Sequence, residues 1–162
     1  MNEAINIIRD EHRSLGSVLK ALLTQVTSAR SGEAEPDWPL YDAMLGYLEA
    51  FPEVMHHPKE DRFLFARLRE RHPQSEEVIQ SLEREHVEGT AGLRALRTLL
   101  TSAKTGNDIT TFATALERYA NFQWRHMQTE EQVVLPLALD HFTPDDWAYV
   151  NAAFQANRQP RW

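Results

Sequence analysis

Apolar residues recur at alternating spacings of three and four along most of the chain, the period of helices that bury one face. Ile5, Ile8, His12, Leu15, Leu19, Leu22 and Val26 form the first such stripe and predict a helix over residues 2–30. Gly32, Pro36 and Pro39 then break the period, and Pro39 suits the opening turn of a second helix. That helix carries Met44, Leu48, Phe51, Met55, Glu60, Phe63 and Leu68 near one face and reaches about residue 72. Pro52 and Pro58 each remove a backbone donor, so a bend is expected between Phe51 and Pro58, where a carbonyl freed by Pro58 would lie beside His56. After Pro73, Ser75 caps a third stripe of Val78, Leu82, His86, Gly89, Leu93, Leu96 and Leu100, which ends before Gly106. Asp108 opens a fourth, in which Ile109, Phe112, Leu116, Tyr119, Gln123, His126, Glu130, Val133 and Leu137 keep helical spacing to about residue 141. Thr143-Pro144-Asp145-Asp146 has the make-up of a helix start and predicts a short fifth helix over residues 143–157. Four long helices with short connections predict an all-α fold, an antiparallel up-down four-helix bundle with a short C-terminal fifth helix, and a single domain over residues 1–162.

The stripes are interrupted by polar residues, and the interruptions repeat. His56-His57-Pro58-Lys59-Glu60-Asp61 returns as His126-Met127-Gln128-Thr129-Glu130-Glu131, and Glu11-His12 returns as Glu85-His86. The chain is thus two copies of a helix pair, residues 2–72 and 75–141. Residues four apart on a helix share a face and lie about 6 Å apart along its axis, so His56 with Glu60, and His126 with Glu130, can reach one point in the core. Burying a His or Glu costs several kcal/mol, on the order of 2–7, unless something satisfies it. His12, His56, Glu60, His86, His126 and Glu130 therefore need a common explanation, and two divalent cations supply it, each taking two imidazoles while the carboxylates bridge. A lone histidine such as His12 is more often a hydrogen-bonded core residue, and the repetition is what moves the balance. His57 lies 100° around an ideal helix from His56, so only one of the two is expected to face the centre. His56 is chosen because Glu60 matches Glu130, and the register His57 with Asp61 stays open. Asp61 and Glu131 are expected to face solvent or to support the ligands, Glu11 and Glu85 to form salt bridges, and His72 and His141 to lie on the surface.

Composition narrows the chemistry. The 162 residues include no Cys, which excludes disulfides, thiolate zinc, iron–sulfur clusters and Cys nucleophiles and leaves nitrogen and oxygen as metal donors. A formal charge of -7 argues against nucleic acid or an anionic membrane as partner. No apolar run approaches a membrane span and the start does not read as a secretory signal, so a cytoplasmic location is expected.

These residues, in this order and spacing, resemble the hemerythrin-like family, the HHE cation-binding domain, over roughly residues 8–137. The resemblance implies a four-helix bundle with a non-haem di-iron centre on His12, His56, Glu60, His86, His126 and Glu130, two iron ions being the expected cofactor with manganese or zinc as alternatives. The doubled His-x-x-x-Glu differs from the Glu-x-x-His of ferritin-like bundles. It departs from oxygen-carrying hemerythrins too, because their third helix brings two His one turn apart, whereas the neighbours of His86 are Leu82 and Thr90. One imidazole is missing, and a solvent ligand or open position favours reactivity over simple carriage. Gly16 and Gly89, one turn beyond His12 and His86, leave room for a small ligand or serve close helix packing. Phe63, Leu64, Leu82, Val133 and Val134 are expected to keep bulk water out. The expected function is binding of, or reaction with, dioxygen, nitric oxide or peroxide; the alternatives are a peroxidase-like or catalase-like oxidoreductase and an iron-sensing or iron-buffering protein.

Overall fold

A computed structural model describes residues 2–106 and 108–158; Met1, Asn107 and residues 159–162 of the expected single domain lie outside the described residues. Most of the described residues are helical, and there is no strand among them. The elements are α1 (Glu3–Arg30), α2 (Trp38–Ala50), α3 (His57–Lys59), α4 (Ala66–Arg71), α5 (Glu76–Gly106), α6 (Thr110–Thr129), α7 (Leu135–His141) and α8 (Pro144–Gln155). Among the described residues, no helix is long and apolar enough to cross a membrane.

The first and third stripes become α1 and α5 almost as expected. The second and fourth do not form plain α-helices. Wide π turns occupy Pro52–His56, Glu60–Phe65 and Glu130–Val134, each closed by a bond five residues back: His57 N–H to Pro52 O, Ala66 N–H to Asp61 O and Leu135 N–H to Glu130 O. Pro52 cannot donate at the first of these, and the bend foreseen at Phe51 begins there. The turns at Glu60 and Glu130 fall at the same point of the two sequence copies.

Two apolar clusters fill the interior. One joins Leu15, Leu19, Leu22 and Val26 of α1 to Tyr41, Leu45 and Leu48 of α2, Leu93, Leu96 and Leu100 of α5, and Phe112 and Leu116 of α6. The other joins Ile5 and Ile8 to Leu64, Phe65 and Leu68, Ile79 and Leu82, Val134 and Leu135, and Val150 and Phe154. At about 1.5–3 kcal/mol for each fully buried side chain, these clusters drive the packing. Along α1 and α5 the chain passes from the second cluster to the first, and along α2–α4 and α6–α7 it passes back. His12, His56, Glu60, His86, His126 and Glu130 occupy the layer between.

The fifth helix starts as its sequence requires. Asp146 N–H donates to Thr143 Oγ1 at 3.2 Å and Thr143 N–H to Asp146 Oδ2 at 2.9 Å. Arg71 adds a two-pronged contact to Asp146 at 2.7 and 3.0 Å, which holds that carboxyl down at about 2. α8 then lies against α1, with Val150 and Phe154 in the second cluster.

Candidate metal centre

The polar layer is sealed. Glu60 and Glu130 are 0% exposed, and His12, His56, His86 and His126 are 4%, 2%, 6% and 2% exposed. Each imidazole points Nε2 inward: His12 Nε2 lies 3.1 Å from His56 Nε2, and His86 Nε2 lies 3.0 Å from His126 Nε2. The carboxylates stand among them. Glu60 oxygens are 3.0 Å from His56 Nε2, 3.6 Å from His12 Nε2 and 3.4 Å from His86 Nε2. Glu130 oxygens are 2.9 Å from His126 Nε2, 3.2 Å from His12 Nε2 and 3.6 Å from His86 Nε2.

The outward nitrogens are all matched. Nδ1 of His12 pairs with Glu131 at 2.8 Å, of His56 with Glu11 at 2.6 Å, of His86 with Asp61 at 2.8 Å and of His126 with Glu85 at 2.7 Å. Four acidic side chains thereby hold Nδ1–H and leave each Nε2 lone pair facing inward, the arrangement that fixes the tautomer of a metal-binding His. Glu11 and Glu85 are salt-bridge residues as expected, and their partners are these imidazoles. Asp61 and Glu131 take the supporting role. The carbonyl freed at Pro58 is not what orients His56; the Glu11 carboxylate does so, and Asn157 Nδ2 holds the other Glu11 oxygen at 2.9 Å.

His57 corrects the expectation that one of the pair turns away. Both are buried, His57 at 4%, because they straddle the end of a wide turn where the 100° step of an ideal helix does not apply. Its Nδ1 faces Glu53 at 3.5 Å, its ring stacks on His86 at 4.1 Å, and Asp61 belongs to His86 instead. A fifth imidazole thus stands beside the four foreseen. Two sets of donors each lie within 4.8 Å of one another and can hold an ion: His12, His56, Glu60 and Glu130, and His57, Glu60, His86 and His126. Glu60 is common to both. The doubled motif pointed to the other members, whereas His57 has Met127 at its place in the second copy and carried no repeat signal.

The apolar surround is also shifted. Leu64, Leu82 and Val134 are buried as expected, but Phe63 is half-buried against Tyr149 and Val133 is 40% exposed. Each lies within a π turn, which inserts one residue into the helical register; Phe65 takes the inner position and stacks on His86 at 5.8 Å. Of the two histidines expected on the surface, His141 is exposed and His72 is half-buried, and their rings stack at 4.2 Å.

Electrostatics show what the layer lacks. Burial works against charge on His56 and His126, yet the Glu60 and Glu130 carboxylates and the hydrogen bonds that the two rings donate to Glu11 and Glu85 outweigh it and raise both to about 9. His12 and His86 are raised in the same way, while burial lowers His57. Burial opposes ionisation of Glu60 and Glu130, and the surrounding imidazoles still hold both well below the usual carboxylate range. Even so, neither oxygen of either carboxylate has a hydrogen-bond partner. Buried, ionised and unpaired oxygens beside inward-facing nitrogens fit a cation as the missing partner. The spacing fits as well, since donors about 2.1 Å from one ion and at right angles lie about 3.0 Å apart.

Among known proteins, the profile of the hemerythrin HHE cation binding domain matches residues 3–138, which takes in every member of the layer and stops short of α8. No curated protein matches the chain. With most of its length covered by that match and its buried His and Glu side chains grouped as described, the chain belongs to the hemerythrin HHE cation-binding domain family.

Proposed function

We propose that the chain is a non-haem di-iron protein that binds or reacts with a small ligand, dioxygen, nitric oxide or peroxide, in the cytoplasm. In this reading His12, His56, His86 and His126 are terminal ligands and Glu60 and Glu130 bridge, with His57 as a further donor on one side. The observation that carries it is the set of buried Glu60 and Glu130 oxygens that have no hydrogen-bond partner while nitrogens crowd around them. We also read the whole chain as one domain and its four rods as an antiparallel up-down bundle. The closed ring of contacts α1 with α2, α2 with α5, α5 with α6 and α6 with α1 supports that arrangement.

Bound iron supplies a change of oxidation state and a coordination position for the incoming molecule. The protein does the rest. Glu11, Asp61, Glu85 and Glu131 keep the imidazoles oriented and basic, the two apolar clusters exclude bulk water, and a cleft of about 290 Å³ lies on the outer side of His12, beside Gly16 and Met127. Gly16 sits 3.5 Å, measured from an added Cβ, from the Trp124 indole nitrogen, an ordinary packing contact. A second reading, an oxidoreductase acting on peroxide, is favoured by the polar side chains Glu53 and His57 next to the centre. Imidazole and carboxylate also accept manganese and zinc.

Anaerobic loading with ferrous iron, followed by nitric oxide, oxygen or hydrogen peroxide under optical observation, separates these readings. A stable adduct is the result expected of a ligand-binding protein, and repeated peroxide turnover that of an enzyme. No iron uptake, or iron that responds to none of the three, would contradict both.

A further inference from the structure

The four carboxylates that hold the outward imidazole nitrogens are not equally placed. The side chains of Glu131, Asp61 and Glu85 are 35%, 38% and 31% exposed, whereas that of Glu11 is 11% exposed. Glu11 is the one that α8 reaches. Asn157, on the turn Ala156–Arg158 that follows α8, donates from Nδ2 to Glu11 Oε1 at 2.9 Å, while Glu11 Oε2 takes the Nδ1–H of His56 at 2.6 Å. Lys59, next to Glu60, donates in turn to Asn157 Oδ1. Phe154 is fully buried, and its ring meets that of His56 in an edge arrangement with centroids 6.5 Å apart. α8 is itself anchored on α1, where Ala4 N–H donates to Asn151 Oδ1 at 2.8 Å and Gln155 Nε2 donates to Glu3 Oε2 at 2.6 Å. Among the described residues, nothing plays this part for Glu85, the counterpart of Glu11 in the second copy. α8 and its turn also lie beyond the residues that the family profile matches.

We propose that Asn157 is a positioning residue for His56, acting through Glu11, and that the turn carrying it is a latch that slows release of one of the two ions. The proposal rests on the two-cation reading for what is retained. For an ion to leave the set of His12, His56, Glu60 and Glu130, His56 has to turn its Nε2 aside, which breaks its bond to Glu11. A carboxylate held at one oxygen can rotate with its imidazole. Glu11 is held at both and cannot follow. Partners that orient a ligand from behind are worth about 10–100-fold in metal affinity. The other set, His57, Glu60, His86 and His126, is backed by Asp61 and Glu85, which water reaches. Its ion exchanges first, so the two ions are kinetically distinct.

The test uses the full chain loaded with zinc, which imidazole and carboxylate accept, and a colorimetric chelator as competitor. The wild type is expected to release its two ions in two phases of one ion each. Asn157→Ala, on a half-buried turn, is expected to speed the slow phase about fivefold or more, the loss of one hydrogen bond to a charged group, and to leave the fast phase within about twofold. Equal acceleration of both phases would mark general loosening and overturn the proposal, as would no change, or a single phase in the wild type. NMR of the metal-free protein gives a readout that needs no metal: the Nδ1–H of His56 is expected to exchange with solvent more slowly than those of His12, His86 and His126, and to join them in Asn157→Ala. Four equal rates in the wild type would overturn the positioning role even if the variant failed to fold. If the wild type takes up neither zinc nor iron, the two-cation reading falls and retention with it, while the exchange rates still decide what holds His56.

Discussion

Replacing Glu60 by Ala is expected to lower the metal content from two ions per chain to at most one and to destabilise the metal-free protein as well. Glu60 belongs to both donor sets, and its oxygens lie between 3.0 and 3.6 Å from the inward nitrogens of His56, His86 and His12. Without it, three imidazoles lose a negative neighbour in a layer closed to water. Removing one partner of a buried charged pair costs about 3–5 kcal/mol, enough to dominate a marginally stable domain. Glu130→Ala is expected to act in the same direction, because Glu130 also bridges in the proposed centre, its oxygens lying 2.9 Å from His126 Nε2 and 3.2 Å from His12 Nε2. Metal analysis of the purified variants, with thermal unfolding in the presence of chelator, checks both halves. Equal metal content in Glu60→Ala and wild type would show that Glu60 does not bridge.

The metal-free and metal-loaded proteins are expected to respond to pH in opposite directions. His56 and His126 stand at about 9 in the folded chain against 6.5 when unfolded. A raised value means that the folded state holds the proton more tightly. The stabilisation is therefore complete below pH 6.5 and disappears as pH rises through 9, a loss of several kcal/mol on the order of 1.4 per unit shift. Glu60 and Glu130 are depressed from 4.5, so their contribution is present above that pH and lost as the solution becomes strongly acid. Metal-free protein should thus be most stable between pH 4.5 and 6.5. Metal ions compete with these protons for Nε2, so affinity for iron should rise over the same interval in which the metal-free protein weakens. Thermal unfolding from pH 5 to 9, with and without ferrous iron, measures both slopes. Parallel slopes would mean that metal does not occupy the imidazole layer.

Much of this was legible in the chain before any coordinates. The stripes on α1 and α5 follow the 3.6-residue period that a helix with one buried face must have, and those helices lie where the period places them. The doubled His-x-x-x-Glu and Glu-His phrases picked out six residues, and all six are buried together in the layer between the apolar clusters. What the sequence hid traces largely to the π turns. A reading that steps 100° per residue cannot bury His56 and His57 together, and it points Phe63 and Val133 inward, whereas Val133 is exposed and Phe65 takes the inner place beside His86. The pairing of Nδ1 with Glu11, Asp61, Glu85 and Glu131 is tertiary, linking neighbouring helices. A signal for it existed, because an acidic residue stands next to His12, Glu60, His86 and Glu130 in both copies, doubled as faithfully as the ligands.

Anomalous diffraction at the iron edge from crystals of reconstituted protein addresses the central claim most directly. Two peaks per chain are expected in the buried layer, one among His12, His56, Glu60 and Glu130, the other among Glu60, His86 and His126 with His57 alongside. A layer without peaks after iron loading, or peaks only at surface side chains, would contradict it.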